Sequence, residues 1–223
     1  NKNTIAMLSG NTLLFDRILD GTDDFHDFYK IRNKILENFS KIRKEIIKRE
    51  VYDLFNIDES YIKNILTAPI QNPFIQKILE TTSEFSLQTN ILLCGFDNVG
   101  KAQITEIDEK GHSDFRDIHF HAIGSGSTQA LNTMLFQKHS KNHDVKSTIY
   151  SVYKAKRNAE VANGVGKETE VMILNIDSLN SLSQDKIEIL GKIYEEELNH
   201  GIKHQDLNKI FPLRNNEKGG GYF

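Results

Sequence analysis

The spacing of hydrophobic positions predicts a largely helical first part of the chain and a strand-rich middle. Between residues 23 and 56, apolar side chains recur every three or four positions, which predicts one long helix or two helices with a break. Asp23 and Asp24 at its start and Lys48 and Arg49 at its end complement the helix dipole. Further helices are predicted at Leu13–Leu19, Asp58–Leu66, Phe74–Gln88, Thr128–Phe136, Asp144–Ala162 and Ser183–Glu197.

Strands are predicted where apolar residues run together or alternate with polar ones. Ile91–Phe96 is a continuous apolar run, which is typical of a strand buried on both faces. Ala102–Asp108 and Phe115–Ile123 alternate, as half-buried strands do. Thr4–Leu8 and Glu170–Leu174 add two shorter strands. Helices flanking these strands favour a layered architecture of antiparallel sheets and helices.

Composition adds limits on partners and compartment. The 223 residues are enough to bury a sizeable core, and the net charge of −3 leaves no basic excess for a nucleic-acid partner. No apolar run reaches the roughly 18 residues needed to cross a bilayer, and Asn1–Gly21 lacks the features of a signal peptide. The single cysteine, Cys94, cannot form an internal disulfide. A cytoplasmic protein without a membrane anchor is therefore expected.

The segment Phe115–Leu135 contains the strongest local motif. Its predicted strand runs into Gly124-Ser125-Gly126-Ser127, and a helix begins at once. The glycines allow a sharp turn, and the serines are expected to cap the helix by accepting hydrogen bonds from its first N–H groups. The same turn also suits a polar site on a rigid frame, or a phosphate at a helix N-terminus. Because no P-loop lysine or Rossmann-type unit accompanies it, a phosphate-binding module has the least support.

Two histidines on the predicted strand raise the question of a metal site. His119 and His121 are two residues apart, so a strand would place both on one face, where they could act as two ligands. No third ligand with suitable spacing accompanies them. A surface or packing role is favoured, and neither a metal nor a cofactor is expected.

Several segments, taken in order, resemble the C-terminal two-thirds of a proteasome-type subunit, in particular the stand-alone bacterial proteasome-like proteins. They are Ile91–Asp97, the turn Glu106–Gly111, His121–Leu131 and Ala155–Leu174, with a weaker match at Ser9–Leu19. The resemblance covers roughly residues 4–176. It implies an α+β fold, a four-layer αββα sandwich of two antiparallel sheets flanked by helices, of the N-terminal-nucleophile hydrolase type. The first hairpin of that fold has no counterpart in this chain.

The resemblance also implies a division of the chain and a set of partners. A proteasome-like domain is expected over 1–177, with a helical insertion around 55–73, followed by a C-terminal helical extension over 178–213 and a flexible tail over 214–223. Self-association as a ring or another homo-oligomer is expected, with the apolar helix faces within 25–51 and 144–162 as candidate contacts. The implied substrate is a peptide or protein, and an unfoldase partner stays an open question.

Part of a catalytic site can be placed by the resemblance. Gly10 matches the glycine whose N–H stabilises an oxyanion, and Ser125 matches the serine that holds the amine of the nucleophile. A strand-to-helix turn is the alternative explanation for Gly10, and a helix cap for Ser125. Supporting positions are Ser9, Gly124, Gly126 and Ser127.

The remaining catalytic groups of the family have no counterpart in the chain. The family uses an N-terminal threonine with its own α-amine as base, helped by an aspartate and a lysine of the first hairpin. Asn1 has no hydroxyl, Thr4 is internal, and Ala162 and Val165 stand where catalytic subunits carry an aspartate and a serine. Two hypotheses follow: a threonine-type peptidase whose nucleophile lies outside these 223 residues, or a catalytically silent structural or assembly protein. The start on a core strand suggests a truncated or processed chain. Without the first hairpin, a sheet of this fold would lose two strands and expose apolar edges, which is a liability for a natural protein. This favours the hypothesis of a peptidase with a missing N-terminal segment.

Overall fold

A computed structural model describes residues 3–58, 60, 61, 64 and 73–200. Within these residues, helices flank two antiparallel sheets, which confirms the predicted α+β class. The first sheet has the strand order β1-β2-β3-β4, and the second pairs β5 with β6. The strands are β1 Thr4–Gly10, β2 Thr89–Phe96, β3 Ala102–Asp108, β4 Gly111–Asp114, β5 Met172–Leu174 and β6 Leu179–Ser181.

Most predicted helices are present with small changes at their ends. None of the helices in the described ranges is long and apolar enough to cross a membrane. The predicted helix Asp58–Leu66, the loop before Pro73, and the tail over 214–223 lie mostly or wholly outside the described residues. The helices are α1 Phe15–Leu19, α2 Phe28–Ile47, α3 Pro73–Glu84, α4 Ser127–Phe136, α5 Val145–Ala159 and α6 Gln184–His200.

The long apolar repeat forms one α-helix that continues into a π-helical turn. The helix α2 begins after Asp27, whose side chain accepts a hydrogen bond from Lys30 N at 2.8 Å. Asp23 and Asp24 therefore lie before the helix, and the predicted start was four to five residues too early, because Asp27 supplies the cap. After Ile47 the backbone widens into a π-helical turn over Lys48–Tyr52.

The first core lies between α2 and one face of the four-stranded sheet. Phe28, Ile35 and Phe39 of α2 are fully buried, and Ile91 and Ile107 of the sheet are buried with them. Burying such side chains contributes about 1.5–3 kcal/mol each. This packing leaves the opposite face of the sheet directed away from α2.

A second core joins α5 and α6 to the small sheet. Ile149 and Tyr153 of α5 pack with Leu190 and Ile193 of α6, and Ile173 of β5 lies against them. The segment predicted as a C-terminal extension thus shares a core with α5. The strand β6 was not predicted, because its residues Leu-Asn-Ser are too few and too polar to show alternation.

The predicted strand Phe115–Ile123 is wrong. The strand is β4, four residues earlier, because Asp108 and Gly111 form a tight turn directly after β3. Phe115 N still donates to Ile104 O at 2.8 Å, but a turn follows, and His119 has a φ of 71° that no strand residue adopts. His119 and His121 therefore do not share a strand face.

Candidate functional site

Three turns meet at one end of the four-stranded sheet. They are the end of β1 at Ser9 and Gly10, the turn before α4, and the turn after α5. A Cβ atom added to Gly124 would lie 3.4 Å from Ser9 Cβ, and one added to Gly164 would lie 3.6 Å from Ser125 Oγ. The structure thus brings the segments that carry the predicted site residues together.

Gly10 occupies a position that only glycine can take. Its φ is +99°, and a Cβ atom there would lie 1.8 Å from Gln88 O, which also accepts a hydrogen bond from Asn11 N. The strand-to-helix turn is therefore sufficient reason for this glycine. Its role as an oxyanion donor stays a prediction.

The prediction that serines cap α4 is wrong. Gly126 is the N-cap and offers no side chain, so the turn closes through Ser127 N to Gly124 O at 3.0 Å and Ala130 N to Gly126 O at 3.1 Å. The hydroxyls of Ser9, Ser125 and Ser127 make no hydrogen bond to any residue that the structure describes.

The start of α4 is wedged against the end of α5. A Cβ atom on Gly126 would lie 2.9 Å from both Ala159 Cβ and Val165 Cγ2, so there is no space for a larger residue. Ala162 N donates to Ala159 O at 3.0 Å and continues the same turn. The side chains of Ala162 and Val165 provide this turn with neither a carboxylate nor a hydroxyl.

One hydrogen-bonded pair of side chains beside the turn was not predicted. His121 Nε2 lies 2.7 Å from Glu106 Oε2, and the two residues are 15 apart in sequence. The spacing of the histidines suggested only a surface or packing role for His121, or a metal ligand. No group of three metal-binding side chains occurs in the described part of the chain.

The single cysteine is a poor candidate for a nucleophile. Cys94 lies on β2, and burial raises the pKa of its thiol to about 12. The thiolate is therefore scarce at neutral pH, and Cys94 behaves as a small apolar residue.

Comparison with known proteins agrees with this arrangement. A proteasome subunit family model matches residues 55–174, more than half of the chain. Two solved structures share the fold: the Anbu (Gly-1) mutant from Hyphomicrobium sp. strain MC1, at 10% identity and a TM-score of 0.57, and Anbu (ancestral beta-subunit) from Yersinia bercovieri, at 15% and 0.58. Each comparison covers 89% of this chain, and 77% and 78% of the two structures. No curated protein matches. The chain belongs to the proteasome subunit family.

Proposed function

We propose that this proteasome-type subunit hydrolyses peptide bonds with an N-terminal nucleophile at the site where Gly10 and Ser125 converge. The supporting observation is the contact between the end of β1 and the turn before α4, with a serine hydroxyl on each side that has no hydrogen-bond partner among the described residues. Two segments more than 100 residues apart meet there, at the positions that the resemblance assigns to catalysis. The proposal places the nucleophile outside the 223 residues.

Each group has a defined task in this proposal. The hydroxyl of the nucleophile attacks the peptide carbonyl, and its proton passes through the α-amine to the leaving nitrogen. The N–H of Gly10 donates to the oxyanion that develops, and Ser125 Oγ accepts a hydrogen bond from the α-amine. Water then hydrolyses the acyl-enzyme.

A catalytically silent subunit is the second candidate. The observation in its favour is the turn after α5, where Ala162 and Val165 offer only apolar side chains. Such a wall offers the α-amine neither a hydrogen bond that would hold it in place nor a charge that would stabilise its protonated form. This candidate keeps the fold for assembly and assigns no reaction to the serines.

Mapping the N-terminus of the intact protein by mass spectrometry tests the two candidates. The peptidase requires a free threonine, serine or cysteine, which an electrophile selective for N-terminal nucleophiles should label. A blocked or unprocessed start, together with no labelling, contradicts it.

A matched pair of serine variants then tests the site. Ser125→Ala should lower the hydrolysis of a fluorogenic peptide by about 10- to 100-fold, the loss of one hydrogen bond of about 1.4–2.7 kcal/mol. Ser40→Ala is the control, because Ser40 is an exposed serine of α2, which packs on the other face of the sheet. Equal activity of the two variants contradicts the role of Ser125.

A phosphate ligand at Gly124–Ser127 can be tested with the same protein. The N-terminus of α4 has no side-chain cap, although the N–H of Ser127 already donates to Gly124 O, and an anion would have to bind the N–H groups that follow. Titration with ATP and with inorganic phosphate should give no heat if the site serves peptides. Saturable binding that Ser125→Ala abolishes would favour the phosphate module instead.

A further inference from the structure

One face of the four-stranded sheet carries polar side chains next to the candidate site. Ile91 and Ile107 are paired across β2 and β3 and point into the core with α2. Side chains alternate along a strand, so Asn90 and Glu106 lie on the opposite face. Ser9 is the register partner of Asn90, so it shares that face.

Both oxygens of the Glu106 carboxylate are bound. Asn90 Nδ2 donates to Oε1 at 2.5 Å, and His121 Nε2 donates to Oε2 at 2.7 Å. The His121 side chain is only 9% exposed and that of Glu106 26%. Both carboxylate oxygens of this half-buried side chain are therefore occupied, and the two hydrogen bonds fix its orientation.

The imidazole of His121 is also held by stacking. Its ring lies 3.6 Å from the ring centre of Phe115, with an angle of 11° between the planes. Phe115 is itself tied to β3 by its N–H, which donates to Ile104 O. The ring is therefore fixed by a hydrogen bond at one edge and by an aromatic face.

These contacts hold a segment that is not itself part of the sheet. Residues 120–123 join no strand ladder in the described part of the chain, yet they connect the first sheet to α4. From this segment, His121 is hydrogen-bonded to Glu106 of β3. Three positions later, Gly124 lies against Ser9, and Ser9 is the register partner of Asn90. The contacts therefore lead from Asn90 through Glu106 and His121 to Gly124 and back to β1.

We propose that Asn90, Glu106 and His121 form a positioning relay that holds the turn Gly124–Ser127 against Ser9. The inference rests on the proposed function in one respect: it makes these three residues responsible for placing Ser125 opposite Gly10. They are positioning residues, because they act through the turn and not on a substrate.

A polar relay serves this purpose better than apolar packing. Hydrogen bonds to a carboxylate are directional and roughly twice as strong as neutral ones, so they define one position of the imidazole. An apolar side chain of similar volume would bury equal area but would allow the segment to slide along the sheet.

Selective labelling allows the site glycines to be observed one by one. The pair Ile-Gly occurs only at Ile123-Gly124, and Ser-Gly only at Ser9-Gly10 and Ser125-Gly126. Protein made with [¹⁵N]glycine and [1-¹³C]isoleucine therefore shows the amide of Gly124 alone in a carbonyl-filtered NMR spectrum. With [1-¹³C]serine, the same spectrum shows Gly10 and Gly126.

The relay predicts a specific response of these three signals. His121→Leu should shift the amides of Gly124, Gly126 and Gly10, because the turn leaves Ser9. His121→Gln, which restores an N–H donor at the place of Nε2, should return them to the wild-type positions. His112→Leu is the matched control and should leave them unchanged, since His112 lies on the other face of the sheet, 3.9 Å from Asp114.

Unchanged signals in a folded His121→Leu protein overturn the relay, and so does a His121→Gln spectrum that matches the leucine variant. If His121→Leu fails to fold, Glu106→Gln takes its place with the same three signals, because it keeps the volume and removes the charge. The readout needs no catalysis. Shifted signals in a protein without a nucleophile would refute the peptidase and leave the relay, whereas unchanged signals in an active enzyme would refute the relay alone.

Discussion

Tyr150 on α5 donates a hydrogen bond to the carboxylate of Glu197 on α6. Lys154, one turn further along α5, forms an ion pair with the same carboxylate. The Glu197 side chain is 14% exposed, so these contacts join the two helices at the border of the second core. Burial, together with the bond to Glu197, raises the pKa of the Tyr150 phenol well above its usual range.

The raised pKa values predict a loss of stability in alkali. Burial is the main cause that raises the pKa of Tyr150, Tyr153 and Tyr194, so their neutral forms favour the folded state. The stability that these neutral phenols contribute to the folded state is fully present below their unfolded pKa of about 10, and it is lost as the pH rises above that value. In an absorbance titration at high pH, three of the seven tyrosines should ionise only as the protein unfolds. Ionisation of all seven near pH 10 in folded protein would contradict this.

The thiol of Cys94 should react slowly in the folded protein. With a pKa raised to about 12 by burial, about one thiol in 10⁴ is ionised at pH 8, and only the thiolate attacks a disulfide reagent. We expect the reaction to be at least about 100-fold slower than in urea-unfolded protein. Since Cys94 is the single cysteine, the absorbance change reports it alone. Equal rates in the folded and unfolded protein would show that β2 opens freely.

Three glycine variants separate backbone strain from steric conflict. Gly10→Ala should lower the free energy of unfolding by about 2–4 kcal/mol, because it combines a positive φ with a Cβ atom 1.8 Å from Gln88 O. Gly111→Ala has a positive φ in open space and should cost about 1 kcal/mol. Gly166 has neither a positive φ nor a neighbouring atom in the way, so Gly166→Ala should change the free energy of unfolding by less than about 0.5 kcal/mol. Urea denaturation measures all three, and another order of stabilities would contradict the geometry.

A buried amide should contribute strongly to the attachment of α1. Asn38 Nδ2 donates to Ile18 O at 2.9 Å and to Asp20 O at 2.8 Å, which ties the end of α1 to α2. Asn38→Ala leaves both carbonyls without this donor and should lower the free energy of unfolding by about 1–3 kcal/mol. Asn33→Ala, on the exposed side of the same helix, is the control and should change it by less than about 0.5 kcal/mol. Similar losses in both variants would contradict the assignment.

The sequence predicts self-association through the apolar helix faces within 25–51 and 144–162. Most apolar positions of those faces lie in the two cores, so we expect contacts between copies at exposed apolar residues of α4 and α5 instead, namely Leu135, Phe136 and Val152. Sedimentation should give a multiple of the 25.5 kDa chain mass, and Val152→Lys should lower it. Val99→Lys, in the exposed β2–β3 turn, should not. A monomer at all concentrations would contradict the expectation.

The sequence predicts the elements whose burial is periodic. The repeat through Phe28, Ile35 and Phe39 is buried as expected, because one side of α2 faces the sheet along its length. Ala102–Asp108 is a strand for the same reason, whereas Ile91–Phe96 was predicted from its continuous apolar run. The convergence of Ser9 with Gly124 follows from family resemblance, since nothing in local spacing brings these residues together.

The remaining features depend on contacts that spacing does not encode. Phe115–Ile123 alternates like a strand, but the tight turn at Gly111 completes the pairing before Phe115. The bond between Glu106 and His121 joins β3 to the segment before α4, across 15 positions of the sequence. A histidine among alternating residues gives no local sign of its partner. For that reason the relay could not be inferred from the sequence.

The wedge at Gly126 makes the site sensitive to the length of α5. Ala159 and Val165 leave no free space beside Gly126, so the end of α5 fixes the position of the first turn of α4. Inserting one residue into α5 ahead of Ala159 would rotate the end of α5 by about 100° and remove Ala159 from its contact with Gly126. Homologues that vary in this helix should therefore differ by whole turns, or they should lose the alignment of the serine hydroxyls.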